Sequence, residues 1–343
     1  MKKSDSVPIK IAIVGYGYWG PNLLRVFNES DRAEVVWCAD KKLDRLNIVK
    51  RKYPSVKTTV NFNNLINDPN VDAVVISTPL LSHFSLAKKA LLSGKHVWIE
   101  KPMTQSSQQA VQLVRLAEKK KKILFVDHIF LYTPAIVHLK KMADSGALGK
   151  VYYFDSVRIN LGLFQQDSNV VWDLGIHDIA IMRYLLKQEP KSVSVLGSSH
   201  IKKGLEDTAY LYFRFPSKIS AHISLSWLSP VKIRRSLIAG SKKMVLYDDL
   251  EASEKIKVYN SGVKRFYRPE SSITGYHYRI GDIQAPALEN REALRTACEH
   301  FIDCIKKNEK PLTDGIEGLK VIQILEAAAR SLTNNGRVEK IEF

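Results

Sequence analysis

The sequence predicts an α/β protein, a doubly wound parallel sheet followed by an α+β domain whose sheet is open and mostly antiparallel. Three observations carry that expectation. Up to about residue 128 short apolar runs alternate with helical patterns, the signature of parallel strands with helices on both faces. Beyond it the strands lengthen and alternate between apolar and polar residues, as in a sheet with one packed face and one free face. Finally, 343 residues exceed what a single core usually encloses. The expected boundaries are 1–128, 129–314 and 315–343, the last a helix that packs back on the first domain.

The first strands fall at residues 9–14, 34–39, 58–60, 73–77, 96–100 and 123–126. Helical patterns separate them. One covers 82–92 and stops at Ser93-Gly94, and another covers 106–119 with Val111, Leu113, Val114 and Leu116 on its apolar side. In the second half a helical pattern spans 170–186, and strands are expected at 151–160, 209–215 and 219–227. The apolar stretch 315–332 reads as the closing helix.

Composition narrows the class. With 45% hydrophobic and 25% charged residues the chain is an ordinary globular protein. No run of about 18 apolar residues suggests a membrane span, and the polar start at residues 1–10 leaves no room for the apolar stretch of a signal peptide. A cytoplasmic location is expected. Cys38, Cys298 and Cys304 show no paired spacing and no histidine cluster, so they read as reduced, with no metal site. The net charge of +17 favours anionic partners. Nucleic acid is not expected among them, because Lys and Arg are scattered and not interleaved with stacking aromatics.

The sharpest motif is Gly15-Tyr16-Gly17-Tyr18-Trp19-Gly20, which follows an apolar strand and opens a helix. In that setting Gly15 allows a tight turn, Gly17 lets the backbone approach a pyrophosphate and Gly20 permits close helix packing, with Tyr18 and Trp19 also expected to bind the cofactor. Asp40 ends the next strand, where a carboxylate accepts from ribose hydroxyls and disfavours a 2′-phosphate. The expected module is a Rossmann domain. NAD is the expected cofactor, with NADP as the alternative because Lys41, Lys42 and Arg45 follow. Ser77-Thr78-Pro79 and Glu100-Lys101-Pro102 close strands at the carboxyl edge, where ligands of such sheets collect. His83 follows closely, as a cofactor contact or as a packing and capping residue.

Asp173 and His177 lie four residues apart in a helical pattern and project from one face, as a catalytic set, a surface pair or an incomplete metal set. The Gly15 loop, Glu100-Lys101-Pro102 and Asp173-x-x-x-His177 resemble, in order and spacing, the glucose-fructose oxidoreductase, inositol dehydrogenase and rhizopine-catabolism family, along essentially the whole chain. Gly17-Tyr18-Trp19-Gly20-Pro21-Asn22, Phe130-Leu131-Tyr132-Thr133-Pro134-Ala135 and Trp172-Asp173-Leu174-Gly175-Ile176-His177-Asp178 are similar to a branch acting on nucleotide-sugars, most of all UDP-N-acetylglucosamine 3-dehydrogenases. One departure is Gly175-Ile176, where that branch would carry Ala-Pro.

The resemblance implies oxidation of a sugar hydroxyl, with Lys101, Asp173 and His177 as the catalytic set. His177 would take the hydroxyl proton, Lys101 would stabilise the developing alkoxide, and Asp173 would orient His177 or the sugar. Arg158 and Asn160 would hold sugar or diphosphate, and Tyr278, Arg279 and Asp282 would line the opposite wall. It further implies a homodimer or homotetramer, and a partner aminotransferase that converts the 3-keto product to a 3-amino sugar for surface glycans or lipid A. A dehydrogenase of a free polyol or aldose such as an inositol remains the enzymatic alternative, and a non-catalytic NAD-binding regulator the alternative outside enzymes.

Overall fold

The computed structural model describes residues 7–162, 164–165, 168–268 and 273–343. Residues 1–6, part of the polar start read as lacking a signal peptide, lie outside the described residues. The chain's internal contacts divide it into two units, Met1–Tyr132 with Arg291–Gln323, and Thr133–Asn290 with Ile324–Phe343.

In the first unit the order is β1 (Ile9–Val14), α1 (Gly20–Asn28), β2 (Ala33–Ala39), α2 (Leu43–Lys52), β3 (Lys57–Thr59), α3 (Phe62–Ile66), β4 (Ala73–Ile76), α4 (His83–Leu92), β5 (His96–Ile99), α5 (Ser107–Lys120) and β6 (Leu124–Val126). The strands form a parallel sheet ordered β3-β2-β1-β4-β5-β6. The order reverses at β1 and β4, so a crevice opens beyond their carboxyl ends. The apolar runs seen in the sequence are these strands: β4 is buried at every residue, as a strand covered on both faces must be. Helix ends follow local chemistry. Ser106 caps α5 by accepting from the Gln109 N–H at 3.3 Å, and Lys121 closes the helix in the left-handed region at φ 52°.

The second unit contains α6 (Pro134–Asp144), β7 (Val151–Leu161), α7 (Ile176–Leu186), β8 (Ser192–Ser198), β9 (Thr208–Arg214), β10 (Ser220–Ser226), β11 (Leu228–Gly240), β12 (Met244–Asp248), β13 (Ile256–Tyr259), β14 (Gly262–Arg268), β15 (Ile273–Arg279) and β16 (Ile283–Gln284). Two further helices, α8 (Ala293–Lys307) and α9 (Gly315–Thr333), precede β17 (Glu339–Lys340). Among the described residues, nine strands make one sheet ordered β16-β13-β12-β11-β7-β10-β9-β8-β17, antiparallel except where β10 meets β7. β14 and β15 pair apart as a hairpin. In β9, Ala209, Leu211 and Phe213 are buried while Tyr210 and Tyr212 are exposed, the alternation of a half-covered sheet.

The domain limits differ from those expected. Residues 291–314, assigned to the second domain from the sequence, join the first unit, because α8 turns Phe301 onto Trp98, Phe27 and Phe125 at ring separations of 5.6, 6.3 and 5.5 Å. The closing segment divides as well. Gly315 and Gly318 lie against Leu124 and Val126 in the first unit, whereas β17 pairs with β8 in the second. Among the described residues no helix is long and apolar enough to cross a membrane.

Phe301 is fully buried. Its replacement by Ala is expected to cost about 3–5 kcal/mol, the usual loss for a large core aromatic. Urea unfolding of the variant checks this, and a loss near zero would contradict the packing of α8 as part of the first core.

Candidate active site

The loop after β1 is shaped by close approaches that only glycine permits at two positions. Gly15 sits at φ +95°, and a Cβ there would lie 2.6 Å from the Ser77 carbonyl oxygen. A Cβ on Gly20 would fall 2.1 Å from the Gly15 carbonyl oxygen, so this glycine lets α1 start directly against the strand. Gly17 is different. Its nearest protein neighbour would be the Arg45 guanidinium at 3.5 Å, so packing does not demand its small size, and the open side suits the approach of a ligand. Trp19, the residue before α1, gives no side-chain cap, which leaves the helix N-terminus for an anion.

Asp40 is nearly buried and anchors this corner. Its carboxylate accepts the Tyr16 N–H at 2.7 Å and the Lys42 N–H at 2.8 Å, with Arg45 at 3.3 Å. Tyr18 and Trp19 are exposed beside it, edge to face at 5.8 Å. The loop is tied to the next strand end, because the Ser77 hydroxyl donates to the Gly15 carbonyl at 2.9 Å. The Thr78 and Ser82 hydroxyls are 2.7 Å apart beyond it, and Pro79 accepts from Ser82. The residues present therefore fit a dinucleotide.

His83 corrects one expectation. It is buried, with Nε2 2.7 Å from the Thr78 carbonyl and Nδ1 2.8 Å from the Pro102 carbonyl. Both ring nitrogens thus face the backbone, and the ring braces the Ser77-Thr78-Pro79 turn against the Lys101-Pro102 turn instead of meeting the cofactor. Burial lowers its pKa, against the two carbonyls that favour the N–H form.

Glu100, Lys101 and Pro102 follow β5, with a cis peptide between Lys101 and Pro102. The Lys101 N–H donates to Glu100 Oε2 at 3.3 Å. Burial pushes the Glu100 carboxyl up to about 7, with the Lys101 charge pulling the other way. Asp127, which follows β6, lies beside it and is raised well above the usual aspartate range, first by burial and then by the Glu100 charge.

In the second unit the helical pattern expected over 170–186 is two structures. A single π turn runs over Val171–Gly175, and α7 begins at Ile176. Gly175 marks the change: a Cβ there would stand 2.9 Å from Leu225, so the widened turn presses closely on β10. Ile176 is the first residue of α7 and follows the π turn without a break. Asp173 accepts the Trp227 indole N–H at 3.2 Å, and Asn169 accepts the Trp172 N–H at 3.2 Å. Trp227 and Phe164 also line a cavity of about 390 Å³ with Gln165, Ile201, Lys202 and Leu205. His177 lies on the first turn of α7 and is partly buried.

Arg158 and Arg279 are placed otherwise than expected. Arg158 points into the core, where its Nε meets Asp178 Oδ2 at 2.5 Å and both side chains are buried. Ser156 completes this network by donating to Asp178 at 2.7 Å. The guanidinium is therefore held by the protein, not presented to a substrate. Asn160 is partly buried near the end of the same strand. Arg279 donates to the carbonyls of Lys242, Asn260 and Ser261 and so anchors the base of the β14–β15 hairpin. Tyr278 is exposed on that hairpin, and the Asp282 carbonyl accepts the Asn260 N–H. The sequence assigned no role to Trp227, Asp178 or Asp127, because their partners Asp173, Arg158 and Glu100 are brought to them only by the fold. Among the described residues no group of three His, Cys, Asp or Glu could hold a metal ion.

Two family models match the chain, an oxidoreductase family with an NAD-binding Rossmann fold over residues 9–128 and a GFO/IDH/MocA C-terminal domain over 136–246. An oxidoreductase of Escherichia coli (strain K12), YdgJ, is 35% identical over 95% of this chain and 98% of its own. The chain belongs to the GFO/IDH/MocA family. It is an oxidoreductase with an NAD-binding Rossmann domain. A scyllo-inositol 2-dehydrogenase (NAD(+)) of Bacillus subtilis (strain 168) is 24% identical over 96% of both chains. A UDP-N-acetylglucosamine 3-dehydrogenase of Acidithiobacillus ferrooxidans is 27% identical over 92% of this chain and 95% of its own. The solved structure of such an enzyme from that species has a TM-score of 0.80 at 22% identity, covering 97% of this chain and all of the other, which shows the shared fold.

Two outcomes follow for this GFO/IDH/MocA protein. Gly20→Ala is expected to lower NAD affinity at least about tenfold, since roughly 1.4 kcal/mol of displaced loop suffices; calorimetric titration reads it. Asp178→Ala removes the carboxylate that pairs with the buried Arg158 guanidinium, and a loss of about 3–5 kcal/mol in urea unfolding is expected. A substrate role for Arg158 predicts instead a raised KM with stability kept.

Proposed function

We propose that this protein is an NAD-dependent dehydrogenase that oxidises the C3 hydroxyl of a nucleotide-sugar, with UDP-N-acetylglucosamine the preferred substrate. The observation that carries the reading is the likeness, along nearly the whole chain, to a UDP-N-acetylglucosamine 3-dehydrogenase, joined to the segments Gly17 to Asn22 and Trp172 to Asp178. A strongly basic chain suits a diphosphate substrate.

The chemistry divides among few groups. Bound NAD supplies a hydride acceptor at C4 of its nicotinamide. A ring nitrogen of His177 takes the hydroxyl proton, so the substrate loses one hydride and one proton and becomes a ketone. The Lys101 ammonium hydrogen-bonds the same oxygen and stabilises the charge that develops on it. Asp173, held by the Trp227 indole, orients His177 or the sugar. Ser77, Thr78 and the Gly15 loop would hold the dinucleotide, and Asp40 would accept from its ribose hydroxyls.

A free polyol is the second reading, favoured by the likeness to inositol dehydrogenases. It uses the same three residues and needs no nucleotide. The nucleotide-sugar reading also carries coupling to an aminotransferase that takes the 3-keto product. Assembly as a homodimer or homotetramer belongs to the proposal too, with exposed Tyr210 and Tyr212 on the open sheet face as its surface.

The test mixes the protein with NAD and a panel of UDP-sugars, inositols and free aldoses and follows absorbance of the reduced cofactor. Turnover of UDP-N-acetylglucosamine supports the reading; turnover of an inositol alone replaces it. Lys101→Met is expected to lower kcat by about 10²–10³, the usual loss for one group that stabilises transition-state charge, with NAD still bound. A fully active variant contradicts the assigned role.

A further inference from the structure

Two buried carboxyl groups stand side by side beneath the Lys101 turn, and the reaction as described does not use them. Glu100 and Asp127 each follow the last residue of neighbouring parallel strands, and those last residues, Ile99 and Val126, are partners in the sheet. The Asp127 N–H donates to the Ile99 carbonyl at 2.8 Å, which extends the ladder and sets the two side chains next to each other. Glu100 Oε2 accepts the Lys101 N–H, but Glu100 Oε1 and Asp127 Oδ1 are buried with no N–H or O–H partner. The two carboxyls are within hydrogen-bonding reach of each other.

Two carboxylates are acceptors only and repel each other. One proton placed between them turns one group into a donor, and a single hydrogen bond then satisfies both orphaned oxygens. We propose that Glu100 and Asp127 share one proton as a buried acid pair, Asp127 donating and Glu100 carrying the charge, and that this single negative charge positions the Lys101 ammonium. The role for Lys101 rests on the function proposed above; the shared proton does not.

The charges around the pair agree with that assignment. Lys101 favours an anion on Glu100, whereas Asp127 faces first burial and then the Glu100 charge, with Lys101 and then the Trp98 indole pulling the other way. From α8 the neighbour is the Cys298 thiol, itself pushed far up by burial and by Asp127. Lys101 acts on both carboxyls, and a second negative charge is opposed by the first, so the pair loses its protons in two well-separated macroscopic steps.

Infrared titration of the resting full-length protein, with no substrate, reads the protonated-carboxyl stretch. One such band is expected to fall in part as the pH rises past neutrality and to persist in part above it. In Asp127→Asn the amide replaces the hydroxyl donor, so the persistent part vanishes and the Glu100 titration moves to lower pH by at least about one unit. In Lys101→Met the band remains and the Glu100 titration moves up, because a favourable charge is gone. Absence of the band near neutral pH in the unaltered protein overturns the shared proton. An unmoved Glu100 titration in Lys101→Met overturns the link to Lys101. Because neither reading needs turnover, failure of the sugar reading is seen separately, in the absorbance assay.

Discussion

Parallel pairing of β1 with β2 on one side and β4 on the other is the constraint on which the first unit depends. Parallel strands need crossovers, and each crossover here returns the chain so that every strand ends at the same edge. The Gly15 loop, Asp40, Ser77, Glu100 and Asp127 are all residues at or just past a strand end. Nothing else in the sequence would gather them. Short hydrogen bonds then fix the edge: Ser77 to the Gly15 carbonyl, Asp40 to the Tyr16 N–H, and His83 between the carbonyls of Thr78 and Pro102. These bonds act on backbone, so the loops are held whatever side chains project from them.

What could be read from the sequence is what local chemistry decides. Strand runs, helix stops and the Gly15 loop depend on neighbours within a few residues, and they appear where the pattern placed them, to within one or two positions. Arg158 illustrates the other case. A strand-end arginine beside a diphosphate-binding hypothesis looked like a ligand contact, yet its partner is Asp178, two elements of chain later and buried with it. His83 is alike, since its two carbonyl partners come from different strand ends. Periodicity reports which face is apolar; it does not report which polar group finds a partner inside. The π turn was illegible for a related reason, because Val171 to Gly175 has a helical pattern in either geometry, and the close approach of Gly175 to Leu225 comes from a strand distant in the chain.

Buried polar groups in the two units answer different needs. In the second unit Arg158, Asp178 and Ser156 satisfy one another, and the charge is balanced within the network. Such a network selects one register for β7 over α7, because a slip of one residue would strand the guanidinium. In the first unit Glu100 and Asp127 are both acidic, and one oxygen of each is buried with no hydrogen-bond partner. A fold does not need that arrangement for register, since the parallel ladder already sets it. Its placement directly before Lys101 is what a device for holding one charge near another requires.

The first unit is also discontinuous in the chain, and that has a consequence for folding. β1 to β6 are complete by residue 126, but Trp98 and Phe125 stack at 4.3 Å with one side left for Phe301, which arrives only after the whole stretch 133–290. Until α8 docks, a face of large aromatic side chains is open to water, and the unit buries its full core only when both pieces meet. Closing so long a loop costs little more than closing a short one, because the entropy grows with the logarithm of length. It does delay the contact, as non-local contacts slow folding. The Cys298 thiol on that same helix is fully enclosed once docked and faces Asp127. Docking of α8 thus removes water from the acid pair as it completes the core, so the low-dielectric setting that forces the two carboxyls to share a proton exists only in the finished unit.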